Sequence, residues 1–192
     1  MRKLKADEIE VKVKQIIKTV TKDGTEWSGF VALLYKTARV DMDILDETYG
    51  EMNWQSDYKT VKENLYCGIG VRTPLAKDGE LVENWVWKWD CGIESRADGE
   101  GNEKKGEASD AFKRAGFKWG IGRELYTAPK IFVEAEVYTD KNGKNYLADK
   151  KASYSVQTIQ YDDTGDIASL VIQDQKGGVV FTWKKKGFNA HA

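Results

Sequence analysis

The sequence predicts a mixed α+β fold: a β-β-β-α core sheet packed by one long helix, with a preceding strand and helix and a C-terminal all-β extension. Residues 65–72 and 85–93 alternate between apolar and polar side chains with the period of two that is typical of strands. Residues 104–119 instead place their apolar side chains on one side at about 100° per residue, which indicates a helix. That apolar side consists of Ala108, Ala111, Phe112, Ala115 and Trp119.

Two elements are predicted before this core. The continuous apolar run WSGFVALLY (residues 27–35) indicates a buried strand. A helix follows, with Ala38, Met42, Leu45 and Tyr49 on one stripe, and Gly50 stands where a helix commonly ends. A further strand is predicted over residues 54–62, although its alternation is weak.

The faces of the two alternating strands differ in character. In the first strand, Leu65, Cys67, Ile69 and Val71 point one way. In the second, the regular spacing of Trp85, Trp87 and Trp89 favours core packing under a helix over a stacking platform for bases. The opposite face, with Tyr66, Arg72, Lys88 and two glycines, is predicted to be polar and open. Lys77-Asp78-Gly79 is a hairpin turn signal between the strands.

Turn signals divide the rest of the chain. A glycine-rich, charged loop (residues 98–103) leads into the long helix, and Gly-Ile-Gly at 120–122 ends it. Beyond residue 131 the pattern is all β, with turns at 141–144, Thr164-Gly165 and Gly177-Gly178; it forms either a second small sheet or an extension of the first. Without a long linker, residues 1–132 are predicted to be a core domain and residues 133–192 a β extension of it.

Composition narrows the possible functions. The 192 residues are 41% hydrophobic and 32% charged, which is typical of a globular protein. No run approaches the ~18 apolar residues of a membrane span, and the charged N-terminus resembles no signal segment, so a cytoplasmic protein without membrane contact is expected. Cys67 and Cys91 are interpreted as reduced core residues. His191 is the only histidine, which excludes a Ser-His-Asp triad or a zinc site with several histidines.

Charge is unevenly distributed, although the net charge is only −1. Between Lys104 and Arg123 there are six basic and two acidic residues, whereas Asp41 to Glu51 holds five acidic residues and no basic one. On the long helix, Lys113, Arg114 and Lys118 surround Phe117, which combines charge for phosphates with a ring for stacking. The alternatives are a solvated helix face and, for Phe117, packing against a neighbouring subunit.

Acidic groupings leave a metal-dependent nuclease as an alternative function. Asp41 and Asp43 are near neighbours on a helix, where their side chains diverge. The tripeptide Glu-x-Lys occurs at Glu10-Val11-Lys12 and at Glu103-Lys104-Lys105, but so short a motif arises readily by chance. GIGRE (residues 120–124) could form an anion nest, yet the chain contains neither GxxxxGK[ST] nor GxGxxG, so nucleotide binding has no support.

Several segments together resemble one known family. The segment LDETYGEMNWQ (residues 45–55), the three strands and the helix KKGEASDAFKRAGFKWGIGRELY (residues 104–126) are similar to the annealing domain of the Rad-fifty-two family. YKTARVDMDILDE (residues 35–47) and KGEASDAFKRA resemble its short bacteriophage members most. The resemblance covers roughly residues 27–132, in the same order throughout, which is more specific than any single motif.

This resemblance implies a non-enzymatic protein that anneals complementary single strands without ATP in recombination and repair. It implies that Lys113 and Arg114 line a DNA groove, with Tyr35 beside it. Lys77, in the hairpin turn, and Arg96, before the long helix, would make a second, outer contact. Phe117 departs from the family, which has a further arginine at that position, and Lys118 is adjacent.

The same resemblance sets the expected partners. These are single-stranded DNA, further copies of the chain in a ring, and a host single-strand binding protein or a companion exonuclease. Neither a cofactor nor a metal is expected. If the protein is phage-encoded, it would act in the cytoplasm of the bacterial host.

Overall fold

The computed structural model describes residues 1–20, 22–77, 80–93 and 103–188, without the side chains of residues 76, 77, 81 and 103. The fold is mixed α+β and rich in strands, so the predicted class is confirmed. The described helices are α1 (Ala38–Tyr49) and α2 (Glu103–Lys118). The described strands are β1 (Glu10–Val20), β2 (Glu26–Tyr35), β3 (Trp54–Val61), β4 (Asn64–Lys77), β5 (Glu80–Cys91), β6 (Ile131–Glu134), β7 (Val137–Thr139), β8 (Asn145–Leu147), β9 (Tyr154–Tyr161), β10 (Ile167–Asp174) and β11 (Val179–Lys184).

The chain forms two compact units. Unit 1 contains residues 1–2 and 37–123, and unit 2 contains residues 3–36 and 124–192. Unit 1 therefore holds both helices with β3, β4 and β5, while unit 2 holds the other strands. The predicted boundary between residues 132 and 133 stays a prediction.

Unit 1 is built on an antiparallel sheet in the order β3-β4-β5. Lys62 and Glu63 both have positive φ and join β3 to β4 in a two-residue connection of the kind that suits a hairpin. Cys67, Ile69 and Val71 are fully buried on one face of the central strand, as their alternation predicts. Helix α2 packs on this face, since Phe112 contacts Trp54, the direct partner of Val71, with ring centroids 6.1 Å apart.

Helix α1 ends before Gly50 as predicted but has a different buried face. Thr37 caps its first turn by accepting a hydrogen bond from the Val40 N–H at 3.4 Å, and Gly50, at φ 81°, follows its last residue. The buried residues are Asp41, Ile44 and Leu45, whereas Met42 is 38% exposed, so the predicted stripe is wrong at Met42.

The misplaced stripe has a physical reason. A Cβ at Gly116 of α2 would lie 2.8 Å from Asp41 Oδ2, so an aspartate occupies the close approach of the two helices. A hydrophobicity pattern excludes an aspartate from the core and therefore rotates the stripe by about one position.

Helix α2 keeps its predicted buried side, with Ala111, Phe112 and Ala115 at most 1% exposed. Trp119 lies just beyond its last residue and donates its Nε1–H to the Ile69 carbonyl at 3.0 Å. Gly120 and Gly122 have φ of 101° and 73°, which favours glycine and ends the helix as predicted. The predicted loop at 98–103 lies outside the described residues up to 102.

Unit 2 contains a six-stranded sheet in the order β11-β10-β9-β1-β2-β6. The C-terminal strands β9, β10 and β11 extend the sheet that holds β2, and β7 and β8 form a separate pair. The predicted turns at 141–144, Thr164-Gly165 and Gly177-Gly178 are confirmed, each with a glycine at positive φ: Gly143, Gly165 and Gly177.

Unit 2 contains one strand that was not predicted and one expectation that fails. Strand β1 was not predicted: its alternation of valine and lysine over residues 11–14 breaks at Gln15, where its pairing register with β2 also shifts. Residues 27–35 are only partly buried: Phe30 and Ala32 are in the core, but Trp27 is 38% exposed and stacks on Phe132 with ring centroids 3.6 Å apart. Within the described ranges, neither helix combines the length and apolar character that crossing a membrane requires.

Candidate nucleic-acid interface

A group of cations lies along the end of α2 in unit 1. Arg114 and Lys118 have side chains that are 42% and 46% exposed, and Lys113 is half-buried one residue before Arg114. Lys88 of β5 joins them by donating a hydrogen bond from Nζ to the Lys118 carbonyl at 3.1 Å. Arg123, after the helix, donates to the same carbonyl from Nη2 at 2.9 Å. We call these five residues the basic surface.

Among the described residues, Asp90 is the carboxylate that forms ion pairs with this surface. Asp90 Oδ1 lies 3.5 Å from Arg114 Nη2, and Asp90 Oδ2 lies 3.6 Å from Lys118 Nζ. Lys118 Nζ also donates to the Trp89 carbonyl. Lys113 has no ion-pair or hydrogen-bond partner among the residues that the structure describes. The basic surface therefore carries excess positive charge that a phosphate backbone can neutralise.

Glu107 and Asp110, the acidic residues of α2 whose side chains the structure describes, bond to the sheet and form no ion pair with the basic surface. Glu107 Oε1 accepts a hydrogen bond from the Leu65 N–H at 3.1 Å, and Asp110 Oδ2 accepts one from the Ile93 N–H at 3.1 Å. Both carboxylates thus fix backbone groups at the ends of β4 and β5. Acidic and basic residues are therefore mixed along the sequence of α2, but in the folded helix these acidic side chains bond to the sheet and the basic ones are accessible to solvent.

Phe117 lies half-buried beside these cations. The Arg123 guanidinium carbon is 5.5 Å from the centroid of its ring, and Arg123 Nε donates to the Phe117 carbonyl at 2.8 Å. Arg123 therefore places a cation at the helix C-terminus, where the helix dipole favours one. Both interpretations of Phe117, as a stacking ring and as a subunit contact, stay predictions.

Of the other predicted DNA contacts, one belongs to unit 2 and two lie wholly or in part outside the described residues. Tyr35 belongs to unit 2, where it ends β2, is 39% exposed and has Lys12 Nζ 5.2 Å from its ring centroid. Lys77 is the last residue of β4 and pairs with Glu80, but its side chain is outside the described residues. Arg96 lies outside them altogether. The structure thus brings together Lys113, Arg114, Phe117 and Lys118.

The expected faces of β5 are wrong. Gly68 pairs directly with Trp89, Gly70 with Trp87, and Arg72 with Trp85, so the three tryptophans share the face of the glycines, away from α2. They do not pack under the helix.

Lys88, assigned from sequence to the glycine face, instead pairs with Ile69 and lies on the α2 side. Its Nζ is 4.2 Å from the Trp119 ring centroid. Lys88 and Arg123 were not assigned to the site from the sequence. For Lys88, the pairing register of β4 with β5 would have indicated its position, whereas the alternation within β5 did not.

The residues considered for a nuclease form no metal-binding group among the described residues, which exclude the side chain of Glu103. Glu10 lies on β1 in unit 2, where its Oε2 is 3.3 Å from Lys12 Nζ. Asp41 is buried between the helices, whereas Asp43 is exposed. The described part of the chain holds no group of three or more side chains that could bind a metal ion. The nuclease alternative has no support.

Comparison with known proteins agrees with the resemblance seen in the sequence. The family model described as "Rad52/22 family double-strand break repair protein" matches residues 2–144, a wider span than residues 27–132. A comparison with curated proteins finds no match. The family match covers most of the chain and includes both α2 and the strands that carry the basic surface. The chain therefore belongs to the Rad52/22 family of double-strand break repair proteins.

Proposed function

We propose that this protein binds single-stranded DNA on the basic surface and anneals complementary strands without ATP, as a homo-oligomeric ring of the phage recombination type. The observation that carries the proposal is the basic surface itself: five cations, one shared carboxylate and two acidic side chains turned to the sheet. Membership of a DNA repair family supports the choice of ligand. In this proposal β3, β4, β5 and α2 form the annealing core.

Annealing of this kind requires holding a strand and does not require bond chemistry. Phosphates on Lys113, Arg114 and Lys118 would fix the backbone, because contacts to phosphate position a nucleic acid without reading its sequence. The base edges would stay available, so Watson–Crick pairing supplies the specificity. Side-by-side subunits would join successive copies of α2 into one continuous groove.

The remaining residues implied by the family resemblance have separate roles in the proposal. Tyr35 would lie beside the inner groove, and Lys77 and Arg96 would make the outer contact. A host single-strand binding protein or a companion exonuclease would act with the ring. Each residue's role can be tested by substituting that residue alone, for example by Lys77→Ala.

The proposal is tested by measuring the annealing rate of two labelled complementary oligonucleotides without ATP. We compare the intact protein with Lys113→Ala/Arg114→Ala and with Lys104→Ala/Lys105→Ala. The control pair lies on the first turn of the same helix, is exposed, and removes the same charge. Accelerated annealing that is lost in the first variant and kept in the second supports the proposal. No acceleration by the intact protein overturns it, and shortened strands after incubation with magnesium would indicate a nuclease.

Salt dependence adds a second readout. The logarithm of the binding constant falls with the logarithm of salt concentration by ~0.7 per phosphate contact on a single strand. Lys113→Ala/Arg114→Ala should make this slope shallower by about 0.7 for each phosphate that the variant no longer binds. An unchanged slope would place the phosphates elsewhere. Size-exclusion chromatography with light scattering shows whether the variant keeps its oligomeric state, which separates a DNA contact from an assembly contact.

A further inference from the structure

We propose that Trp87 and Trp89, with Lys59, form an additional contact for single-stranded DNA, separate from the basic surface and from the proposed outer contact at Lys77 and Arg96, in which bases stack on the indole rings. We call these three residues the tryptophan face. It lies on the side of the β3-β4-β5 sheet away from α2, so it is distinct from the basic surface. The inference rests on the proposed function, because its ligand is the same DNA.

The two indole rings lie flat on the sheet. A Cβ built on Gly68 would be 2.5 Å from Cδ2 and Cε2 of Trp89, and one on Gly70 would be 2.7 Å from Cε2 of Trp87. These ring atoms are at the fusion of the indole, so the middle of each ring covers a glycine. A side chain at either glycine would lift the ring. One face of each indole therefore contacts backbone, and the other is turned away from the sheet.

The rings together form one surface. Their centroids are 5.6 Å apart with planes inclined by 23°, close to the spacing of alternate residues along a strand, roughly 7 Å. Side-by-side rings of this kind present a continuous aromatic platform. Single-strand binders use such platforms because every base has a π face, which makes stacking tolerant of sequence.

Charge distinguishes the two ends of the platform. Lys59 Nζ lies 3.7 Å from the Trp89 ring centroid, over the face turned away from Gly68, so a base that stacks on Trp89 displaces the ammonium to the side, where it can meet a phosphate. Within the described residues Lys59 has no carboxylate partner. At the other end, Trp85 faces Arg72 across the strands and not a glycine, and its Nε1–H is donated to Glu83 Oε1 at 2.8 Å. A phosphate would thus meet Lys59 beside Trp89, but Arg72 together with the Glu83 carboxylate beside Trp85. This asymmetry confines the contact to Trp87 and Trp89.

Among the described carboxylates, Asp57 is the one nearest to Trp89 in the strand register. It pairs from β3 with Gly68, which in turn pairs with Trp89. Its Oδ1 accepts a hydrogen bond from the Tyr58 N–H at 2.8 Å.

Both helices of unit 1 pack on the other side of the sheet. Helix α2 packs there through Phe112, and α1 through Asp46, which accepts a hydrogen bond from Trp54 Nε1 at 2.6 Å. Within unit 1, the helices therefore leave the tryptophan face uncovered.

The test compares Trp87→Leu and Trp89→Leu with Trp85→Leu, a matched control on the same strand and face. Binding is measured by fluorescence anisotropy of a labelled thymine oligonucleotide and of an abasic strand of equal length. Stacking contributes ~1–3 kcal/mol per base, so each of the first two variants should bind the thymine strand at least about 5-fold more weakly. Trp85→Leu should stay close to the intact protein. Trp87→Phe and Trp89→Phe, which keep a ring, should retain part of the affinity and guard against a folding defect.

The abasic strand separates stacking from other causes. The intact protein should bind it more weakly than the thymine strand, and the leucine variants should show no further loss. The slope of affinity against salt should be unchanged in these variants, because no phosphate contact is removed. Unchanged affinity for thymine, or equal loss on both strands, would overturn the proposal.

Three other outcomes would either assign the tryptophan face to a different partner or show which of the two proposals fails. If Trp87→Leu or Trp89→Leu dissociates the oligomer in light scattering, the face is a contact between copies of the chain and the DNA proposal is wrong. If the intact protein binds neither strand, the proposed function fails as a whole. If Lys113→Ala/Arg114→Ala weakens binding while both leucine variants do not, only the tryptophan face is excluded.

Discussion

Trp89 lies flat on Gly68, its direct partner across β4 and β5. A Cβ at position 68 would be 2.5 Å from the ring, well inside van der Waals contact, and the neighbouring pair Gly70 and Trp87 repeats the arrangement at 2.7 Å. The tryptophan rings of β5 can thus lie flat on the sheet only because the facing residues of β4 are glycines without side chains. Their packing is a property of the pair and not of either strand.

Gly68→Ala should therefore destabilise the protein through the ring of Trp89. Overpacking of this kind costs typically about 1–3 kcal/mol in the free energy of unfolding, which urea denaturation measures. In a Trp89→Ala background the same change should cost much less, because the clashing ring is gone. This double-mutant cycle isolates the pair. An equal cost in both backgrounds would mean that the backbone of β4, and not the ring, requires glycine.

Asp90 should weaken DNA binding, because its carboxylate lies beside Arg114 and Lys118. Asp90→Asn removes the negative charge but keeps an oxygen to accept from the Cys91 N–H, now 2.9 Å from Asp90 Oδ1. A unit charge at 4 Å in water is worth about 1 kcal/mol, so affinity for single strands should rise by up to about 5-fold at low salt.

The matched control for this change is Asp43→Asn, which alters the net charge equally at an exposed position of α1. Fluorescence anisotropy at low and high salt measures both variants, and the gain should shrink at high salt because exposed charges are screened. A similar gain from Asp43→Asn would show an effect of net charge, which would remove Asp90 from the interface.

Strand register explains the main error in predicting the faces of β5. The alternation within β4 and within β5 is clear in sequence, but which faces combine depends on how the strands are paired. Lys77 pairs with Glu80, which leaves two residues between the strands, and from there even-numbered residues of β4 meet odd-numbered residues of β5. The turn signal at Lys77-Asp78-Gly79 was sufficient to derive that register. Applied along the hairpin, it places Lys88 beside Ile69 and Trp89 beside Gly68.

Helices were predictable to the extent that their buried faces were apolar. Helix α2 follows a strong 3.6-residue pattern, and Ala111, Phe112 and Ala115 are buried as expected. In α1 the buried Asp41 breaks that pattern.

The site was predictable only in its local part. Lys113, Arg114 and Lys118 are close in sequence, but Asp90 and Lys88 join them from β5 and could be added only through tertiary pairing.

The two cysteines should differ strongly in reactivity. Cys67 is fully buried on the α2 side, and burial raises the pKa of its thiol to about 11. At pH 8 the thiolate, which is the reactive form, is therefore scarce at Cys67. Cys91 is half-buried on the opposite face.

A thiol reagent should therefore label Cys91 in the native protein and Cys67 only after unfolding, as peptide mass spectrometry would show. After unfolding, Cys67 should react as an ordinary cysteine, because the burial that raises the pKa of its thiol is lost. The Cys91→Ser variant provides the check: rapid labelling of this variant in the native state would contradict the burial of Cys67.

Glu124 should stabilise unit 2 by holding the N-terminal segment through a buried hydrogen bond. Its side chain is 2% exposed, and its Oε1 accepts from the Leu4 N–H at 2.9 Å. Leu4 is itself buried, and its carbonyl accepts from the Tyr161 hydroxyl at 2.8 Å. Lys3 Nζ lies 3.8 Å from Glu124 Oε2. Burial raises the pKa of Tyr161, so that hydroxyl stays a donor at neutral pH.

Glu124→Ala leaves the Leu4 N–H buried without its acceptor, which typically costs about 1–3 kcal/mol. Glu124→Gln keeps an acceptor oxygen and should cost less, and Glu134→Ala, at an exposed position of β6, should cost least. Urea denaturation of the three variants gives the order. If alanine and glutamine at position 124 are equally destabilising, the carboxylate charge beside Lys3 would be the stabilising element and the hydrogen bond to Leu4 a minor one.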